Sequence, residues 1–525
     1  MTRHVRPLLT LLVAGAAACG GSPSSAAPPG GPSLVVLVVV DQLTPDLLDR
    51  YGSFFRGGLR RLLDQGLRFE NATHDHANTV TAAGHTTLGT GVYPVRHGIV
   101  GNEWLEQVNG EWKQVYSMSD SASPIVGHPE LEGMGPRNIE RAGLASWIAA
   151  RDPDARIVSI SKKERAAIGM AAQARGDVYW IPEDEDEFVT STAYATEYPE
   201  WVVRFNEREM PGLYSDTVWE SRVPASAAAA SRPDTSRWEF DREHTAFPHQ
   251  ARDHADMTNP YDVNLWRWDY TPFPDRAVVS FALEAVRALD LGRRGAVDFL
   301  AVSLSQTDRI GHTFGPGSRE QLDNLLRLDA EVGRLLEGLD DRVGRGRWVL
   351  AFSSDHGVLE IPEHLADEGI LAGRISREQR LEVAARVQAA AAGGPWAVRE
   401  AVASLPFVAG AYTFEEIERD QPADSFAVLY AHSHSRTRLV GPAARAGVYL
   451  RYPPNFLAVA SITTHGTPYY YDRHVPLIFF GPGVRAGTSA ERVATVDVAP
   501  TLARLGGITA PDDLDGHVIQ ALDTP

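Results

Sequence analysis

Residues 34–40 read LVVLVVV, seven consecutive apolar residues, five of them valine, ending at Asp41. β-Branched side chains fit a pleated strand. An unbroken apolar run, rather than an alternating one, fits a strand covered on both faces, as in a parallel sheet. Similar runs recur at 156–160 (RIVSI), 298–304 (DFLAVSL), 347–353 (RWVLAFS) and 475–480 (VPLIFF). Helical patterns lie between them. The clearest spans 319–343, where Leu322, Leu325, Leu326, Val332, Leu336 and Leu339 mark one face. Strands alternating with helices predict an α/β sheet with helices on both faces.

Two stretches break this rhythm. Residues about 183–275 are rich in Trp, Tyr, Pro and charge, and residues about 358–460 carry an Ala-rich helical segment (380–392) and short strand-like pieces such as 447–452. Both read as insertions that cap the site, within one domain running from 34 to 525. The chain has 525 residues, 43% hydrophobic and 22% charged, which excludes a disordered, collagen-like or coiled-coil chain. Its net charge of −18 opposes nucleic-acid binding at long range. One cysteine, Cys19, rules out an intramolecular disulfide and a Cys-based metal site. Arg3 and Arg6 precede an apolar run at 8–18 that ends at Cys19, so residues 1–19 read as a secretory signal. Ala16-Ala17-Ala18-Cys19 resembles a bacterial lipobox, with Ala16 where leucine is usual; the alternative is ordinary cleavage. Residues 20–33 (GGSPSSAAPPGGPS) read as a flexible linker. The expectation is a periplasmic or secreted protein that touches a membrane only through a lipid on Cys19.

In open α/β sheets, ligands bind outside the carboxyl ends of the strands. Every strand expected here ends on chemistry. Asp41 follows the first, Lys163 and Arg165 the second, Asp308 and His312 the third, and Asp355 and His356 the fourth; Thr464-His465-Gly466 lies just upstream of the last. Aspartate and histidine are oxygen and nitrogen ligands for Zn²⁺. Asp308 and His312, four apart, face one side of a helical turn. Asp355 and His356 are neighbours, so both can converge only if the backbone bends, which Gly357 would assist. His432 and His434 lack a nearby carboxylate and are assigned no metal. Thr81 opens a stretch of small residues, NTVTAAGHTTLGTG at 78–91, consistent with a helix packed tightly on the sheet. A hydroxyl at a helix start meets the positive end of the helix dipole, where a phosphate is stabilised, although threonine there also serves as a plain N-cap.

With these residues assembled, the chain resembles the alkaline phosphatase superfamily. Within it, the likeness is greatest to the monomeric phosphate-irrepressible alkaline phosphatases, and next to the nucleotide pyrophosphatase/phosphodiesterases. The likeness rests on VVVDQ (38–42), VTAAGHTTLGTGVYP (80–94), HGIVGNEW (97–104), SKKER (161–165), DFLAVSLSQTDRIGHTFGP (298–316), SSDHG (353–357), THGTPYYYDRHVPLIFFGPG (464–483) and VDVAPTLARLGG (496–507). It implies an alkaline phosphatase-like sheet and two Zn²⁺ ions. One ion would be held by Asp308, His312 and His465, with His474 the competing choice for the third ligand. The other would be held by Asp41, Asp355 and His356, in contact with Thr81 as the nucleophile of a phosphothreonine intermediate. Asn102, Lys163 and Arg165 match the residues that contact the phosphoryl oxygens. If extended, residues two apart such as Lys163 and Arg165 project to one side, and two cations aimed at a dianion favour phosphate monoesters. The reading is a two-zinc phosphomonoesterase acting on small phosphate esters, monomeric by resemblance. The alternatives are a phosphodiesterase/nucleotide pyrophosphatase and, more remotely, an inactive phosphate-binding lipoprotein. Sulfatases are disfavoured, since no C/S-x-P-x-R motif occupies the Thr81 position.

Overall fold

The computed structural model describes residues 31–523 apart from 184, 216–217, 240–244, 251–267, 422–423 and 460. The leader, Cys19 and most of the linker therefore lie outside the described residues. The LVVLVVV run is strand β1 (Leu34–Val40), near the middle of an eight-stranded sheet. The other strands are β2 (Leu67–Thr73), β3 (Ile157–Ser161), β4 (Asp177–Tyr179), β5 (Asp298–Leu304), β6 (Trp348–Ser353), β7 (Leu477–Phe480) and β8 (Gly487–Ala494), in the order β8-β2-β7-β6-β1-β5-β3-β4. All seven residues of β1 are fully buried, because both faces are covered. Val36, Val38 and Val40 enter a core with helices Phe273–Ala288 and Arg319–Leu339. Val35, Leu37 and Val39 enter a second core with Leu88, Leu144, Ile148 and Leu502. This period-two division is the reason the run contains no polar residue.

One strand departs from the parallel reading of these runs. β7 is antiparallel to both neighbours, pairing Leu477 with Ser353 of β6 and with Phe69 of β2. The chain reaches β7 from the carboxyl edge of the sheet, after the second insertion, and runs back across it. The residues upstream of β7, His465 among them, thus lie at the same edge as the carboxyl ends of the parallel strands.

The second insertion builds cores of its own. One gathers Tyr412, Phe414, Ile417, Tyr430 and Tyr449, and another gathers Val383, Val398, Val402 and Val448. Its Ala-rich helix is Arg377–Ala390, and the strand-like piece at 447–452 is the strand Val448–Arg451, paired with Gly410–Thr413. The described part of the first insertion behaves differently. Trp201, Phe205, Trp219 and Trp268 pack into the same core as β1. Among the described residues no helix is long and apolar enough to cross a membrane.

Candidate active site

Asp41 leaves β1 fully buried. Gln42 follows with a left-handed φ of 67°, a conformation uncommon outside glycine and asparagine. That turn lets one residue serve two carboxylates. The Gln42 backbone N–H donates to Asp355 Oδ1 (3.1 Å), and its side-chain amide donates to Asp308 Oδ1 (2.7 Å). Glycine at 311 leaves room for it, since a Cβ there would fall 1.9 Å from Gln42 Oε1. Asp308 and His312 share helix Gln306–Phe314, with His312 Nε2 3.1 Å from Asp308 Oδ1. The start of this helix is held by Asp275, which accepts from the Ser305 (2.8 Å) and Gln306 (3.3 Å) backbone N–H groups. Burial pushes the Asp275 carboxyl up to about 7 in spite of those bonds.

Three histidines are oriented in one way. The Nδ1–H groups of His312, His356 and His465 donate to the carbonyls of Thr463 (2.9 Å), Gly357 (3.0 Å) and Thr79 (2.8 Å). Each Nε2 lone pair is left facing the carboxylates, the arrangement that prepares imidazole as a metal ligand. His356 Nε2 lies 3.3 Å from both Asp41 Oδ1 and Asp355 Oδ2, and His465 Nε2 lies 3.6 Å from Asp308 Oδ1. Two donor groups result, Asp308–His312–His465 and Asp41–Asp308–His356, each with its ligand atoms within 4.8 Å of one another. Asp308 belongs to both, while Asp355 approaches the second through His356. His474 instead bonds the Glu70 carbonyl. His432 stacks on Tyr93 at 3.8 Å, and His434 bonds Tyr449 and Glu418. The bend that turns His356 inward follows the end of β6. Gly357 does not supply it through an unusual φ; it packs against the Tyr471 carbonyl, which a Cβ would approach to 2.1 Å.

The buried carboxylates are in tension. Burial, with Asp308 and Asp355 nearby, raises the Asp41 carboxyl well above its ordinary range. Burial also pushes Asp308 and Asp355 upward, but Lys163 and His312 pull Asp308 well below, and His356, His85 and Lys163 do the same to Asp355. Burial lowers His356 and His465, keeping their rings neutral. The Lys163 ammonium bridges Asp41 Oδ2 (2.5 Å) and Asp308 Oδ2 (2.6 Å). Asp41 Oδ1, Asp355 Oδ2 and His356 Nε2 remain buried without a hydrogen-bond partner. An unpaired buried polar atom costs about 1–3 kcal/mol. The three converge from an imidazole and two carboxylates, a donor set that fits a bound metal ion.

Lys163 and Arg165 are not on an extended segment. Lys163 is the N-cap of helix Glu164–Ala171, and Arg165 is already within its first turn. The strand ends at Ser161, too early for the pair to alternate along it. Arg165 meets Tyr116 Oη at 3.3 Å and Glu164 at 3.4 Å. Thr81 is the first residue of helix Thr81–Thr90, and Val80 takes the N-cap position without a side-chain bond. The Thr81 hydroxyl has no hydrogen-bond partner among the described residues, so it is not spent as a cap. Asn102 Oδ1 accepts from the Ala82 N–H (2.9 Å), which directs its NH₂ away from the helix. Gly84 lets this helix touch the sheet edge, as a Cβ there would meet the Asp355 carbonyl at 2.1 Å.

Residues not singled out by sequence complete the site. His85 lies one turn after Thr81, bonds the Thr81 carbonyl (2.9 Å) and Ser303 Oγ (2.8 Å), and approaches Asp355 Oδ2 to 3.2 Å. Both His85 and Gln42 sat inside the quoted motifs, and only the contacts give them work.

Such a sheet edge, with two donor groups and a hydroxyl at a helix start, fits a metal-dependent hydrolase, and likeness to known proteins puts the chain in the alkaline phosphatase superfamily. The chain belongs to the type I phosphodiesterase / nucleotide pyrophosphatase family, which matches residues 35–404. It is 29% identical over 518 residues to alkaline phosphatase PafA of Elizabethkingia meningoseptica, covering 92% of this chain and 93% of PafA. To alkaline phosphatase PhoV of Synechococcus elongatus it is 28% identical over 513 residues, covering 92% of each. The crystal structure of PafA matches with a TM-score of 0.82 at 28% identity, over 93% of this chain and 98% of that one. Murine ectonucleotide pyrophosphatase/phosphodiesterase 5 shares the fold, with a TM-score of 0.50 and 14% identity over 91% of this chain and 96% of its own.

Proposed function

We propose that this protein hydrolyses phosphate monoesters through a phosphothreonine at Thr81 and releases inorganic phosphate. The observation that carries the reading is the unbonded Thr81 hydroxyl at a helix start, beside buried carboxylate and imidazole atoms that lack partners. Asp308, His312 and His465 would hold one zinc ion, and Asp41, Asp355 and His356 the other. When bound, the pair supplies Lewis acidity toward the attacking and leaving oxygens. The chain's own residues do the rest. Thr81 Oγ1 attacks phosphorus as the bond to the leaving oxygen breaks, and water then displaces the threonine. The Asn102 NH₂, free of the helix, donates to a phosphoryl oxygen. Lys163 spends two of its three N–H donors on Asp41 and Asp308 and keeps one for the substrate. Arg165 adds a guanidinium, always charged. A PafA crystal structure carries joint substitutions at a threonine, an asparagine, a lysine and an arginine, the same residue types in the same chain order as Thr81, Asn102, Lys163 and Arg165.

Cations directed at a dianion favour monoesters over diesters. The family's description keeps a phosphodiesterase/nucleotide pyrophosphatase as the second reading. Comparing p-nitrophenyl phosphate with bis-p-nitrophenyl phosphate decides between them. The expected result is a higher kcat/KM for the monoester; preference for the diester transfers the assignment to the second reading, and turnover of neither supports the inactive phosphate-binding protein. We place the protein outside the cytoplasm, as a monomer with a lipid on Cys19 as its one membrane contact, on the composition of residues 1–33 and on resemblance.

A further inference from the structure

We propose, resting on the phosphatase reading above, that Tyr116 is a positioning residue that aims the Arg165 guanidinium, and that the preference for monoesters over diesters depends on its hydroxyl. Arg165 is held at one nitrogen. Its Nη1 donates to Tyr116 Oη (3.3 Å) and to Glu164 Oε1 (3.4 Å). These are its hydrogen bonds among the described residues, and Nε is buried with none. The Tyr116 hydroxyl donates its own proton to the same Glu164 oxygen, so its lone pairs are left for the guanidinium. Burial, with Glu164 beside it, raises the Tyr116 hydroxyl well above the ordinary phenol range, so it stays a donor. One hydroxyl thus joins the cation to its counter-ion. Burial opposes the Arg165 charge, yet Tyr116, Glu164 and Asp41 together raise its pKa above the ordinary arginine value. Asp41 is one of the converging site carboxylates, so the guanidinium lies within the field of the site.

The backbone around Tyr116 is fixed to the other residue assigned to the phosphoryl group. Tyr116 ends a two-stranded hairpin, Glu103–Val108 with Glu111–Tyr116, that begins one residue after Asn102. Glu103 is the antiparallel partner of Tyr116, and the Ser117 N–H donates to the Asn102 carbonyl (2.9 Å). The Asn138 side chain donates to the Ser117 carbonyl (3.0 Å), and Asn102 Oδ1 accepts from Ala82 in the first turn of the Thr81 helix. The base of one hairpin therefore carries both Asn102 and the hold on Arg165. A long side chain gives up rotamer freedom when it meets a ligand, and a guanidinium already fixed has given it up beforehand. A monoester dianion offers one more non-bridging oxygen and one more charge than a diester. A misdirected cation therefore costs the monoester more.

The test compares kcat/KM for p-nitrophenyl phosphate and bis-p-nitrophenyl phosphate in the full-length protein supplied with zinc. Tyr116→Phe removes the hydroxyl and keeps the ring. It is expected to lower the monoester value about five- to tenfold and the diester value about twofold or less, so that the ratio falls. In an Arg165→Ala background the same substitution is expected to change either value by about twofold at most, because the hydroxyl acts through a group already removed. Glu164→Gln keeps an acceptor for the Tyr116 proton and is expected to retain more of the monoester value than Glu164→Ala. An unmoved ratio in Tyr116→Phe, an undiminished effect of Tyr116→Phe in the Arg165→Ala background, or a Glu164→Gln protein no better than Glu164→Ala overturns the inference and leaves the phosphatase reading standing. Preference for the diester in the unmodified protein overturns both.

Discussion

The two edges of the central sheet are both lined with charge, and they differ in kind. At the amino edge lies a cavity of about 850 Å³ bordered by Arg56, Arg60, Arg61, Arg345, Trp348 and Phe480. Three of its four arginines are ion-paired: Arg61 pairs with Asp340 at 2.9 Å and lies 5.0 Å from the Phe480 ring, Arg345 reaches the same aspartate, and Arg60 pairs with Asp64, while Arg56 bonds the Ser53 and Phe55 carbonyls. At the carboxyl edge three aspartates and three histidines are packed around one lysine, and several of their atoms are buried with nothing to bond. Cavity volume by itself marks no edge as the site. Unpaired buried polar atoms select the right one, because a fold retains that cost where a ligand or ion relieves it.

Metal removal is the strongest way to break the contrast. Chelation is expected to abolish phosphate release and added zinc to restore it; full turnover in a metal-free preparation would mean that the buried donors serve structure alone. Next in size, replacing Lys163 and Arg165 together by alanine should lower monoester hydrolysis about a hundredfold, and diester hydrolysis much less. Equal losses would show both cations to be structural. The smallest effect is expected at the opposite edge. Arg61→Ala should cost about 1 kcal/mol of stability through its lost ion pair and ring contact, read as a shift of the unfolding midpoint, with kcat unchanged. A fall in kcat there would mean that the two edges are coupled.

The contrast also shows where sequence reading succeeds. β1 and β5 were legible because both faces are buried and no polar residue interrupts them. β2 (LRFENAT) and β8 (GTSAERVA) were not: β8 is the edge strand and mostly exposed, and β2 beside it mixes exposed and buried positions without regular alternation. β4, of three residues, is too short to carry a pattern. His465 could be placed at the site because its motif stands just ahead of β7; the antiparallel run of that strand is the physical reason the placement works. The expectation of an extended Lys163–Arg165 pair failed because a helix begins at Glu164, and neither residue's chemistry announces that. Gln42 and His85 could not be assigned a role from composition. Their parts are contacts with residues hundreds of positions away, and a hydrogen bond of that span has no local signature.

The central claim is that the Thr81 hydroxyl becomes esterified during turnover. Acid quenching during hydrolysis of a ³²P-labelled monoester, followed by peptide mapping, tests it directly. The account predicts stable label on the peptide containing Thr81, and in Thr81→Ala no label with phosphate release reduced by orders of magnitude. Native-rate release from Thr81→Ala, or label confined to another residue, would contradict it.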